Sequence, residues 1–382
     1  MRLLAGIAFL LILQACSQKK EKVQTVSDQI RLSLDTVLVD SGDEFLFLQD
    51  QLYSSSLSED KNYLFNFNPQ NFIVEKIDLN QLKLEKRIQF EKEGPNGLSS
   101  NYPRFSILPD NNFLFWTFHF YKIFDQNSGM FKDMELDKIA AQYLGNTEYY
   151  PGRIFQDKNN SNRLIAFIFH GENGSLLILD FDLKDQTFEK IELPELEKLN
   201  EFRVKLLYEG TPAGEYGPRV YTMNINGQII ISNAAFNEVQ IFDLEKDSLY
   251  MKSWNTHLLA DKKSYVPPKE AERTSDQLSE IIEKTEEDLS YRSFFWDEKN
   301  ERYFRFSEKK HFAEKPTDFG TSLTEADVFL SVFDKDFNLI AEAQIPELPH
   351  SIGVHFVKDG KIWMYENIDD ELAFVIMNVE VL

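Results

Sequence analysis

The sequence has a single cysteine, Cys16, among 382 residues. An internal disulfide is therefore excluded, and packing alone must hold the fold. Histidine is also scarce, with six scattered residues. No G-x-S-x-G, no H-E-x-x-H and no cysteine pair is present, so the serine-hydrolase elbow, the zincin site and thiolate-held zinc have no signature here. "GPNG" at 94–97 is a plain turn rather than a phosphate loop. "DKDFN" at 334–338 echoes the start of a calcium loop but lacks its glycine and terminal glutamate. Beyond the N-terminus no stretch is apolar enough to cross a bilayer as a helix. Basic residues are in deficit, 41 against 63 acidic, for a formal net charge of −22. Such a field repels phosphate backbones and argues against a nucleic-acid partner.

What is present begins with "MRLLAGIAFLLILQAC". Arg2 precedes an apolar stretch from Leu3 to Leu13, too short to span a bilayer and shaped like a signal-peptide core. Residues 1–15 are expected to be a signal peptide, and residues 16–29 a lipidated cysteine with a polar, aperiodic tether. Fully extended, the tether reaches about 45 Å. Residues 30–382 are expected to form one domain.

The chain is rich in phenylalanine (33) and tyrosine (15), nearly all of them in that domain; these residues favour strands and carry large buried areas. Two classes of turn alternate along it. "EDKN" (59–62), "PDNN" (109–112), "DKNN" (157–160), "NING" (224–227), "DEKN" (297–300) and "KDG" (358–360) each precede an apolar run. A second class follows strands that end in Asp, at "EKIDLN", "YKIFDQN", "ILDFDLKD", "VQIFDLEKD" and "LSVFDKD". Each unit reads strand, turn, strand, loop, strand, turn, strand. This predicts an all-β, six-bladed β-propeller of four-stranded antiparallel blades. The last unit has only three strands, and residues 30–39, "IRLSLDTVLV", are expected to close it. A seven-bladed propeller, with 308–345 divided differently, is the alternative. One helical insertion is expected at about 267–291, where Ala271, Leu278, Ile281, Ile282 and Leu289 follow helical spacing and Pro267 and Pro268 suit a start.

The Leu13-Gln14-Ala15-Cys16 stretch resembles the lipobox of bacterial lipoproteins, in which the cysteine is diacylated and the signal cut before it. With the tether and the aromatic four-strand repeats, the chain resembles Bacteroidota-type lipoproteins with a TolB-like six-bladed propeller domain of unknown function. The resemblance implies an envelope location, lipid-anchored through Cys16. It carries no catalytic signature and no cofactor beyond that lipid. The stretch after Cys16, Ser17-Gln18-Lys19-Lys20-Glu21-Lys22, is basic rather than acidic. That favours the outer membrane facing the periplasm over surface display.

A further pattern concerns arginine. "YPRFSI", "YPGRIF", "YGPRVY" and "YRSFFW" place Arg104, Arg153, Arg219 and Arg292 just before the first turn of units two to five. In a propeller this position opens on one face of the central channel. Ser54, Ser55 and Ser56 occupy the equivalent place in unit one, and His350, with His355 deeper, in unit six. Loops reaching that face would offer His119 and His170, with Asn68, Asn233 and Asp369. A guanidinium ring could bind carboxylate, sulfate or phosphate through forked donors. Alternatively, each arginine pairs with an acid of its own or the next blade and fastens the ring. Two functions follow. One is a non-catalytic binding or scaffold propeller that takes a small anionic ligand, peptide, glycan or envelope protein. The other is a calcium-dependent propeller hydrolase or lactonase, which needs several oxygen ligands on the channel axis.

Overall fold

The computed structural model describes residues 24–25, 28–94, 96–98, 102–145, 148–171, 174–225, 227–312 and 323–382. Cys16 and the signal stretch lie outside these residues.

Six sheets of four or five strands dominate, and in five of them neighbouring strands follow chain order. The first holds Ser55–Leu57, Tyr63–Asn68, Ile73–Asp78 and Lys83–Gln89. The second holds Arg104–Ile107, Phe113–Trp116, Tyr121–Phe124 and Met130–Asp133. The third spans Tyr149–Asp157 to Thr187–Glu192, the fourth Val220–Ile225 to Ser248–Ser253, and the fifth Ser290–Asp297 to Leu339–Gln344. Residues 302–312 and 323–334 lie within the fifth sheet, paired with each other. The sixth holds His355–Lys358, Lys361–Ile368 and Glu371–Val381, and Ile30–Leu38 adds to it antiparallel, with Ile30 opposite Val381 and Leu38 opposite Ala373. A two-residue strand, Gln24–Thr25, pairs with Leu32 and Arg31 at the outer edge.

The turn code explains why the chain folds this way locally. Asp60, Asp110, Asp157 and Asp297 each accept a backbone N–H two or three residues on, closing the first turn. Asp78, Asp125, Asp182, Asp243 and Asp334 each accept two backbone N–H bonds in the second turn, from residues two to four positions on. These are Asx turns, in which the carboxylate substitutes for a backbone acceptor. "DKDFN" is one of them.

The core is divided among the gaps between successive sheets. Phe67, Phe90 and Phe115 pack sheets one and two. Leu114, Ile154 and Leu164 join two and three, and Phe167, Ile178 and Ile231 join three and four. Ile241, Phe294 and Phe333 lie between four and five, and Phe306, Leu330 and Met364 between five and six. Leu64, Ile77, Trp363 and Phe374 bring the sixth sheet against the first. The first strands of all six sheets line one central space.

The insertion differs from expectation. The helix spans only Asp276–Glu287, and Ser275, not a proline, caps it by accepting the Leu278 N–H. Glu270–Glu272, which the spacing predicts as helix, is a strand pairing in parallel with Val204–Tyr208. Ala271 therefore joins Leu278 and Ile281 in one buried cluster from two elements rather than one helical stripe. Residues 290 and 291 already belong to the fifth sheet. The segment 194–216, which sequence reading left unassigned, supplies a 3₁₀ helix (Pro194–Phe202) and the hairpin on which this strand docks.

Candidate functional site

The central space widens on the face where the first strands begin. A cavity of about 460 Å³ is lined by Tyr53, Ser54, Ser55, Tyr102, Arg104 and Arg153, among others. A second, of about 390 Å³, shares Ser55, Ser56 and Arg153 and adds Tyr221, Ser293 and His355.

"YPGRIF" can be read from the residues upward. A register shift sits between Pro151 and Arg153, so Gly152 is the extra residue of a bulge. A Cβ on Gly152 would come within 2.2 Å of the Phe169 ring, so only glycine fits there. The carbonyls of Pro151 and Gly152 accept hydrogen bonds from Trp116 Nε1 (3.1 Å) and Arg104 Nη1 (3.0 Å). This stretch is thus the joint between sheets two and three, and it sends the Arg153 side chain into the cavity. Arg153 is reached by solvent but walled by protein. That walling pushes its pKa below the ordinary arginine value, and the Arg104 cation pushes the same way. Burial also lowers Arg104.

The four arginines separate into two kinds. Arg292 is half-buried and forms an ion pair with Glu308 at 2.6 Å, and it donates to Ser351 Oγ at 2.9 Å. Lys310 stands 3.8 Å from Glu308 and pairs with Glu286 of the insertion helix at 2.6 Å. Arg292 is therefore a fastening residue. Arg104, Arg153 and Arg219 are exposed and have no acidic partner among the described residues.

The histidines fare differently from expectation. His355 lines the cavity, with its ring edge-on to Phe295 and Phe306 and Nδ1 2.9 Å from the Gly353 carbonyl. Burial pushes its pKa down to about 4, so it is neutral at physiological pH. His350 is exposed in the preceding loop. His170 packs edge-on against Tyr149 at the end of its strand. His119 is exposed in the loop that brings Phe118 beside Tyr150, but it does not line the cavities around Arg104. Asn68 and Asn233 are buried and cap their own turns. Sequence reading missed Glu308, Ser351 and Tyr221. Their signal was faint, because Glu308 sits in a strand between ordinary polar residues. Among the described residues, no group of three or more His, Cys, Asp or Glu side chains is placed to hold a metal ion.

Comparison with known proteins gives three findings. No curated protein matches the chain. A crystal structure of a DUF4221 family member from Bacteroides vulgatus superposes with a TM-score of 0.62 at 14% identity, covering 93% of this chain and 99% of that one. A putative exported protein from Bacteroides fragilis is similar with a TM-score of 0.48 at 9% identity, over 92% of this chain and 95% of that one. The first likeness establishes a shared fold. The model of the domain of unknown function DUF4221 matches residues 27–344, and the chain belongs to that family.

Proposed function

We propose that this protein is a non-catalytic binding module of the cell envelope, built as a six-bladed β-propeller whose channel mouth takes an anionic ligand. The blades are the six sheets, and Ile30–Leu38 closes the ring on the last of them. The observation that carries the reading is the set Arg104, Arg153 and Arg219. A strongly acidic chain leaves these three guanidiniums facing solvent with no carboxylate to neutralise them among the described residues, Arg104 and Arg153 lining one cavity and Arg219 preceding Val220 of the adjoining one. Guanidiniums in a walled, partly desolvated site bind carboxylate, sulfate or phosphate through paired N–H donors. Arg292, held by Glu308, positions the wall instead.

Thermal denaturation with sulfate, phosphate and citrate tests this. The wild-type protein is expected to melt higher in at least one of them, as binding to the folded state requires. Arg153→Ala combined with Arg219→Ala is expected to abolish the rise while keeping the ligand-free melting temperature within about 2 °C. No rise with any anion would contradict the reading, and gross unfolding of the double variant would show that these arginines fasten the fold. A large rise with Ca²⁺, reversed by EDTA, would favour the hydrolase reading instead.

The envelope anchor is part of the same proposal. Cys16 would carry the lipid, and several acyl chains hold firmly at about 0.8 kcal/mol per buried CH₂. Cys16→Ser is expected to move the protein from the membrane to the soluble fraction. Unchanged membrane association of that variant would contradict lipidation.

A further inference from the structure

The two walls of the mouth differ in chemistry. On the side of sheets two and three stand Arg104 and Arg153, without acidic partners among the described residues. Toward sheets five and one the charge of Arg292 is taken up by Glu308, and Ser54, Ser55 and Ser293 present hydroxyls, while Ser56 Oγ accepts the Ile107 N–H of sheet two. Exposed aromatic side chains stand beside them. Tyr102 is 72% exposed and Tyr53 62%, and both line the cavity that holds Arg104 and Arg153. Phe118, 41% exposed, joins Tyr102 and Arg104 in a smaller adjoining cleft. Exposed rings clustered beside cations at a cavity offer a surface for contact.

A matching ligand must offer an acid group at one end, neutral hydroxyls at the other, and a flat face of weak polarity between them. We propose that the mouth of this channel recognises an acidic saccharide, its carboxylate or sulfate held by Arg104 and Arg153 and a pyranose face laid on Tyr102. This rests on the anion-binding reading above and narrows it. An acidic peptide meets the first requirement but has no flat face to set on the tyrosine. A nucleoside monophosphate has a flat face and an anion but leaves most of the hydroxyl wall unmatched.

Calorimetric titration of the full-length protein decides the matter, with a tri-uronate, a sulfated disaccharide, a neutral glucose trimer, tri-glutamate, AMP and inorganic sulfate as probes. One of the two acidic saccharides is expected to bind at least about tenfold tighter than the neutral trimer, tri-glutamate, AMP or sulfate, as a charge-assisted pair plus stacking implies. Which of the two does so identifies the acid group. Arg153→Ala is expected to weaken it about tenfold or more. Tyr102→Ala is expected to weaken the saccharide about three- to tenfold while leaving sulfate binding unchanged. If tri-glutamate or AMP binds as tightly as either saccharide, or if Tyr102→Ala leaves the saccharide unaffected, the saccharide proposal is overturned while the anion site stands. If none of the anions binds, both fall together.

Discussion

At the residue scale, the four aligned arginines show that one sequence pattern can serve two ends. Arg292→Ala leaves Glu308, which is almost fully buried, with the Ser351 hydroxyl at 2.9 Å but its nearest cation, Lys310, only at 3.8 Å. Removing one partner of a buried pair costs about 3 kcal/mol, so urea unfolding of this variant is expected to show a clear loss. Arg104→Ala is expected to cost well under that, because Arg104 is exposed and only one hydrogen bond, to the Gly152 carbonyl, is lost. Arg305 is the opposite extreme. It is 1% exposed, its guanidinium carbon lies 5.0–5.4 Å from the ring centroids of Trp254, Tyr291, Phe294 and Phe333, and its Nη2 donates to Asn237 Oδ1. Burial pushes its pKa down to about 10. Arg305→Met keeps the volume and removes the buried charge, so it is expected to cost less than about 1 kcal/mol, whereas Arg305→Ala costs about 3–4 kcal/mol through the cavity it leaves. His355 gives a pH signature. Its folded pKa of about 4 lies below its unfolded value of 6.5. The unfolded chain therefore takes up the proton first, and this contribution to stability is full above pH 6.5 and is lost as pH falls toward 4. The loss amounts to about 2–3 kcal/mol by pH 4.5. His355→Asn is expected to lose less stability than the wild type between pH 7 and pH 4.5; equal losses would contradict this.

At the element scale, the sharpest test is the insertion helix. Ser275→Ala removes the side-chain acceptor of the Leu278 N–H and is expected to cost about 1 kcal/mol in denaturant unfolding. The helix also shows where the sequence could be read and where it could not. Asx turns are local, since an aspartate bonds its own backbone two or three residues on, so both turn classes and nearly every strand between them were legible. The extent of the helix was not. Ala271 keeps helical spacing with Leu278, yet it buries itself in a strand beside Val204–Tyr208, some 65 residues earlier in the chain. No local signal reports a partner at that distance. The same limit applies to the site. The arginine pattern could be read because it recurs in register. Its division into fastened and open members depends on Glu308 and Ser351, which come from a second strand and a later loop.

At the scale of the whole molecule, the sixth sheet depends on an early strand, Ile30–Leu38, and the proposed ring depends on that sheet. Nine residue pairs join Ile30–Leu38 to the C-terminal strand. A chain that starts at residue 40 would leave the buried Met377 and Val379 and the strand edge around them uncovered. It is expected to aggregate or unfold, whereas a chain starting at residue 24 keeps a cooperative transition in calorimetry. In the proposed ring, closure serves to hold Arg104 and Arg153, from two successive sheets, at one opening. Crystals grown in selenate, with diffraction recorded at the selenium edge, test this most directly. The account predicts an anomalous peak between the guanidiniums of Arg104 and Arg153, with Tyr102 beside it. Arginines turned onto neighbouring carboxylates, with no selenium at the mouth, would contradict it.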